Sequence, residues 1–217
     1  MILIIDHYDS FSQSLYQLVR KCCQETEMIR SDQATVEEIR QMKPQMIILS
    51  TGAGKPEEAG VFLETVKELG SQIPILGIGL GYLAVCSAFG GRLKERENPV
   101  CAGTVTVEFE PESRLFKAMG KTSMEAGVYG FLTADKDSLP GCLKAAAKDP
   151  EGDVMAVEHR EYPVYGICFQ PESVLTPNGR KLMENLVREE VLNKMTSSRI
   201  LSKIKEILKD RQAEEDE

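Results

Sequence analysis

The run PILGIGLGYLAV, residues 74–85, decides the fold of this chain. Residues 74–78 are apolar and of the length of one buried strand. Alternate glycines at Gly77, Gly79 and Gly81 mark a sharp turn, and a helix is expected from about Tyr82 to Phe89. A buried strand, a tight turn and a helix form the repeating unit of sheets covered by helices. The same unit recurs towards the N-terminus. Residues 2–5 and 46–49 are continuous apolar runs, as strands buried on both faces would be, and 27–30 is a shorter one. Between them Asp9-Ser10 can cap a helix to about Cys23, with Phe11, Leu15, Leu18 and Cys22 at helical spacing. Thr35 and Glu38 have the form of a capping box for a helix to about Met42. Pro56 opens a helix expected to reach about Leu69. Strands alternating with helices imply right-handed crossovers and a parallel sheet.

The second half has a different texture. Residues 104–107 alternate, as an edge or antiparallel strand would, and further strands are expected near 124–129, 142–147, 153–158 and 164–169. Residues 177–192 read as a helix. The expected fold is α/β, a mostly parallel central sheet between helical layers with a small antiparallel extension. Residues 1–192 form that domain. In 193–217, Ile200, Leu201, Ile204, Ile207 and Leu208 make an apolar stripe, predicting an amphipathic helix with an acidic tail.

The 217 residues carry a formal net charge of −8 and a sequence pI near 5.0, which speaks against nucleic acid as a partner. Six cysteines form no CxxC pair, and His7 and His159 are the only histidines. That composition offers no metal-ligand spacing, and no cofactor is expected. The apolar start at 2–5 ends at Asp6, too short for a membrane span or a leader. With thiols that need no staples, a cytoplasmic location is expected and no membrane partner.

Four segments resemble one family. The opening MILIIDHYDSF is similar to the start of the amidotransferase subunits (component II) of anthranilate synthase and aminodeoxychorismate synthase. IILSTGAGKPEEAG, at 47–60, stands where that family usually has a Ser-Pro-Gly-Pro-Gly loop. PILGIGLGYLAV resembles its nucleophile segment, and GICFQPESVLTPNG, at 166–179, its His-Pro-Glu-Ser segment. The order and spacing are those of the family over about residues 1–190. The resemblance implies a class I glutamine amidotransferase-like, flavodoxin-like three-layer fold. It implies glutamine hydrolysis by a cysteine thiolate in a strand-to-helix turn, with a histidine as base, a glutamate orienting it, and ammonia passed to a chorismate-using synthase.

The departures fall on the chemistry. Gly79 stands at the nucleophile position and Gln170 at the histidine position; Glu172 is retained. Glycine forms no thioester, and an amide does not exchange protons near neutral pH. In a comparable triad, losing the nucleophile alone costs roughly a millionfold, or about 8 kcal/mol of barrier. The oxyanion-hole elements Gly52, Gly54 and the N–H of Leu80 match the family. Tyr82 and Leu83 replace the His-Gln of a Gly-His-Gln run whose glutamine helps to bind substrate, and Gly130 and Phe131 replace the centre of a Tyr-His-Ser-Leu segment whose backbone lines the glutamine pocket. The expectation is a subunit without glutaminase activity, acting as a partner or regulator of a synthase. Two alternatives stand beside it: altered chemistry in the remodelled pocket through Glu172 or Cys168, or a small ligand held in the former glutamine pocket. The Gly77–Gly81 run does not have the spacing of a dinucleotide-binding loop. Cys86, His7 and His159 read as structural.

Overall fold

The computed structural model of the chain describes residues 1–96, 99 and 102–192. The expected tail helix in 193–217 lies outside the described residues. In chain order the strands are β1 (Ile2–His7), β2 (Thr26–Arg30), β3 (Met46–Gly52), β4 (Ile75–Ile78), β5 (Leu93–Glu95) and β6 (Gly103–Phe109). They continue with β7 (Ser123–Val128), β8 (Leu132–Ala134), β9 (Leu143–Lys148), β10 (Val154–His159) and β11 (Val164–Ile167). The helices are α1 (Ser12–Cys22), α2 (Val36–Gln41), α3 (Phe62–Leu69), α4 (Leu80–Ala88) and α5 (Gly179–Val187), the last running into a π-helical turn at Arg188–Leu192.

The centre of the sheet is parallel, in the order β2-β1-β3-β4-β11. The apolar runs that predicted it are buried throughout: residues 2–5 and 46–49 are each 0% exposed. Fully burying each such side chain is worth about 1.5–3 kcal/mol, which makes these strands the stable frame of the molecule. At β11 the direction changes. Strands β10, β9, β6 and β7 continue the sheet antiparallel, and β8 links β10 to β5. The fold class is therefore the one expected, an α/β sheet with a parallel centre, its antiparallel extension supplied by the six strands between β4 and β11.

Local differences have local causes. The helix expected from Pro56 to Leu69 is split into a 3-10 turn at Pro56–Glu58 and α3. Between them Gly60 adopts φ +57°, and a Cβ there would lie 2.2 Å from the Ser31 carbonyl oxygen. Helix α1 begins at Ser12 with no side-chain cap; the Asp9 carboxylate instead accepts the Phe11 N–H at 2.7 Å, one step before the helix. The capping box at Thr35 and Glu38 forms as read. Helix α4 starts at Leu80, directly on the Gly79 turn.

Candidate functional site

Three chain segments converge where the parallel strands end, a place where open α/β sheets bind ligands. The first is the turn at Gly79, with φ +56° and ψ −108°. Few residues with a side chain adopt such angles without strain. The turn is pinned by its own N–H, which donates to the Ile167 carbonyl at 2.9 Å, and by its carbonyl, which accepts the Leu83 N–H at 3.1 Å. The second is the end of β3, which carries Thr51. The third is the stretch after β11, which carries Gln170.

A Cβ placed on Gly79 would lie 2.3 Å from Thr51 Oγ1, 2.8 Å from Thr51 Cβ and 3.3 Å from Gln170 Nε2. The volume beside the turn is therefore occupied. The Gln170 amide donates to the Thr51 hydroxyl at 3.5 Å, a long bond across that volume.

The backbone around Gln170 is firmly held. Its N–H donates to the Gly127 carbonyl at 3.0 Å, and its carbonyl accepts the Thr176 hydroxyl at 2.7 Å. The Thr176 oxygen in turn accepts the Gly127 N–H at 2.9 Å. The side chains of this segment are less well served. Gln170 is 2% exposed, and its Oε1 has no hydrogen-bond partner. Both carboxyl oxygens of Glu172 are buried and unpartnered too. Burial pushes the Glu172 carboxyl up to about 8, and the negative charge of Asp9 adds to the rise. Glu172 is thus mostly a neutral acid at pH 7, with a leftover cost that for an unpaired buried polar group is about 1–3 kcal/mol.

A cavity of about 420 Å³ opens in front of the turn. Of the residues picked out in the sequence, Gly52, Gly54, Gly79, Leu80, Leu83, Gly130, Phe131 and Gln170 line it. Phe131 is 55% exposed and stands at its mouth. Two others are placed differently. Glu172 lines a separate groove with Gln17, Lys21 and Arg180, between α1 and the start of α5. Tyr82 is not a pocket residue, contrary to the sequence expectation. It is 0% exposed, and its hydroxyl donates to the Val154 carbonyl at 2.8 Å. The same hydroxyl accepts the Ala134 N–H at 3.0 Å and lies 3.1 Å from Thr133 Oγ1. Leu80 and Leu83, three apart on α4, share the face towards the cavity, whereas Tyr82 tethers the helix to β8 and β10.

The sequence reading gave no pocket role to Asp9, Phe11, Thr51 and Ala53, which also line the cavity, as do Tyr129 and Leu132, the ends of the segment that resembles the family's Tyr-His-Ser-Leu. The Phe11 and Tyr129 rings pack with centroids 4.8 Å apart, and the Tyr129 hydroxyl meets Ser173 Oγ at 2.8 Å. Burial raises the half-buried Asp9 carboxyl. Thr51 had a usable signal: it departs from the first proline of the family loop, on the strand next to the turn. Cys168, named in the altered-chemistry alternative, reaches the cavity wall. Burial pushes its thiol up to about 11 against the opposing pull of the Arg96 guanidinium, so it is no nucleophile at neutral pH. Cys86 is fully buried away from the cavity. His7 Nδ1 sits 2.8 Å from Ser31 Oγ. His159 Nδ1 accepts the N–H groups of Glu161 and Tyr162 at 3.1 and 2.9 Å. Both histidines have structural duties. No helix among the described residues is long and apolar enough to cross a membrane.

Comparison with known proteins agrees with this architecture. The chain is 33% identical to the aminodeoxychorismate/anthranilate synthase component 2 of Bacillus subtilis, over 88% of this chain and all of that protein. It is 36% identical to the anthranilate synthase component 2 of Methanothermobacter marburgensis, over 87% of this chain and 98% of the relative. With the aminodeoxychorismate synthase component 2 of Escherichia coli it shares 33% identity over 86% of this chain and 99% of that one. Its fold matches a protein of Thermoplasma acidophilum provisionally assigned to GMP synthase, with TM-score 0.77 and 20% identity over 93% of this chain and 96% of that one. The family model described as glutamine amidotransferase class-I matches residues 3–189. With the strand-turn-helix at Gly79 and the clamped segment at Gln170, these matches establish that the chain belongs to the class I glutamine amidotransferase family.

Proposed function

We propose that this chain is an amidotransferase-type subunit without glutaminase activity, which docks on a chorismate-using synthase as a structural or regulatory partner. The observation that carries this reading is the filled volume at Gly79, where Thr51 and Gln170 lie within 3.3 Å of the Cβ that a nucleophile would need. The reading is further supported by a retained glutamate with no base to orient. Cys168 offers no substitute thiolate, because burial holds its proton. The partner class follows from relatives that are component 2 subunits of chorismate-derived synthases over nearly their whole length.

The test is a glutamate-release assay on the purified chain, alone and with the synthase encoded in the same genome, beside a pull-down of that synthase. Release is expected to stay at background in both samples, at least roughly 10⁵-fold below an active enzyme of the family. The synthase is expected to co-purify and to use free ammonia. Glutamate release at ordinary rates would refute the inactive reading, and a synthase that never binds would refute the partner reading.

A further inference from the structure

The cavity at Gly79 has a wall chemistry of its own. Leu80 and Leu83 floor it, and Phe11, Tyr129 and Phe131 form aromatic sides. No Lys, Arg or His is among the described residues that line it, and the one charged side chain there is Asp9. Its polar wall includes Thr51 and Gln170. Gln170 uses Nε2 towards Thr51, which leaves Oε1 as a buried acceptor without a donor. The nine-residue helix α4 starts at Leu80, which also lines the cavity, with no side-chain cap on its first turn. A buried acceptor without a partner is costly; Gln170 is on the cavity wall and its amide is held only by the long bond to Thr51, so turning that amide towards the cavity lets a ligand donor recover the cost.

We infer that this cavity binds a neutral, apolar-bodied small molecule, a ring or branched alkyl group bearing a hydroxyl or primary amide whose hydrogen is accepted by Gln170 Oε1. The head group's own oxygen is then met by the helix N-terminus or the Thr51 hydroxyl. A volume near 420 Å³ is within the range of small-ligand sites and holds a single ring with room to spare. Carboxylates are selected against. They would lose their water with no cation on the wall, approach Asp9, and offer no hydrogen to Gln170. The helix N-terminus favours an anion by only about 1 kcal/mol or less, which does not offset those losses. A free amino acid brings such a carboxylate with it, so glutamine itself is a poor occupant.

This inference rests on the non-catalytic reading of the same site, and its test separates the two. Benzamide and benzoate share a ring and differ in charge and in the donor. Each is titrated into the ¹⁵N-labelled full chain, and the backbone amides of Leu80, Leu83, Gly130 and Phe131 are followed. Benzamide is expected to shift these amides and to bind about tenfold or more tightly than benzoate. Gln170→Leu should weaken benzamide about tenfold and leave benzoate unchanged. Leu83→Lys, which puts a cation on the wall, should invert the preference, a result that a poorly folded variant would not imitate. The inference fails if benzamide leaves those amides unmoved, if benzoate binds as well or better in the unaltered chain, or if Leu83→Lys does not invert the order. Glutamate release is measured on the same samples: turnover would end the non-catalytic reading while the binding result stands separately.

Discussion

Tyr82 and Glu172 both bury their polar oxygens, one in a segment that departs from the resembled family's pattern and one in a segment that keeps it, and their surroundings differ sharply. The Tyr82 hydroxyl has three close polar neighbours, from Ala134, Val154 and Thr133. The two Glu172 oxygens have none. A polar group that the fold uses is satisfied from several elements at once, whereas one kept without its partner is paid for in stability. The contrast separates two parts of the site: the helix behind the turn is tied into the core through Tyr82, and the segment in front of it holds a buried acid with no hydrogen-bond partner.

The sharpest way to break this comparison is to rebuild the missing partners. Gly79→Cys with Gln170→His is expected to give no measurable glutamate release, because Thr51 occupies the place of the new Cβ. Adding Thr51→Gly should raise release at least about 100-fold over the double variant, since an ångström of misplacement commonly costs that much. Equal activity in the two variants would show that Thr51 is no obstacle. Next in size is Glu172→Leu. The Glu172 carboxyl is raised in the folded state, to about 8 from an ordinary 4.5. The native form therefore holds a proton that the unfolded form releases, and stability drains away as pH climbs from about 4.5 through 8. The leucine variant should gain on the order of 3 kcal/mol more at pH 8 than at pH 4.5, where only the pH-independent cost of the unpartnered neutral acid is relieved. Urea unfolding across that range measures it, and a gain independent of pH would contradict the assignment. The smallest effect is Tyr82→Phe, expected to lose about 2 kcal/mol with no pH dependence between 5 and 8, because it leaves the Ala134 N–H unpaired. A neutral outcome would mean that Tyr82 does not tether α4.

Much of the frame was legible because β1, β3 and β4 are continuous apolar runs, and a strand buried on both faces has no other way to be written. The three-residue strands β5 and β8 were not, since three residues carry no period. Gly79 and Gln170 could be placed because they sit inside motifs with fixed spacing. The direction of Tyr82 could not be read. Residues 80–86 of α4 are all buried, so the helix has no polar face to set its phase. Thr51 escaped notice for another reason. Its influence on residue 79 passes between neighbouring strands, and no spacing along the chain records it.

The backbone at residue 79 also constrains the order in which this protein can change. With φ at +56° and ψ at −108°, any side chain introduced there meets an unfavourable conformation and the Thr51 methine together. Each single substitution towards a nucleophile is thus harmful before it is useful, and shrinking residue 51 first brings no activity by itself. Residues 51 and 79, far apart in sequence, are thus tied together: a side chain at 79 needs both its own backbone and Thr51 to give way.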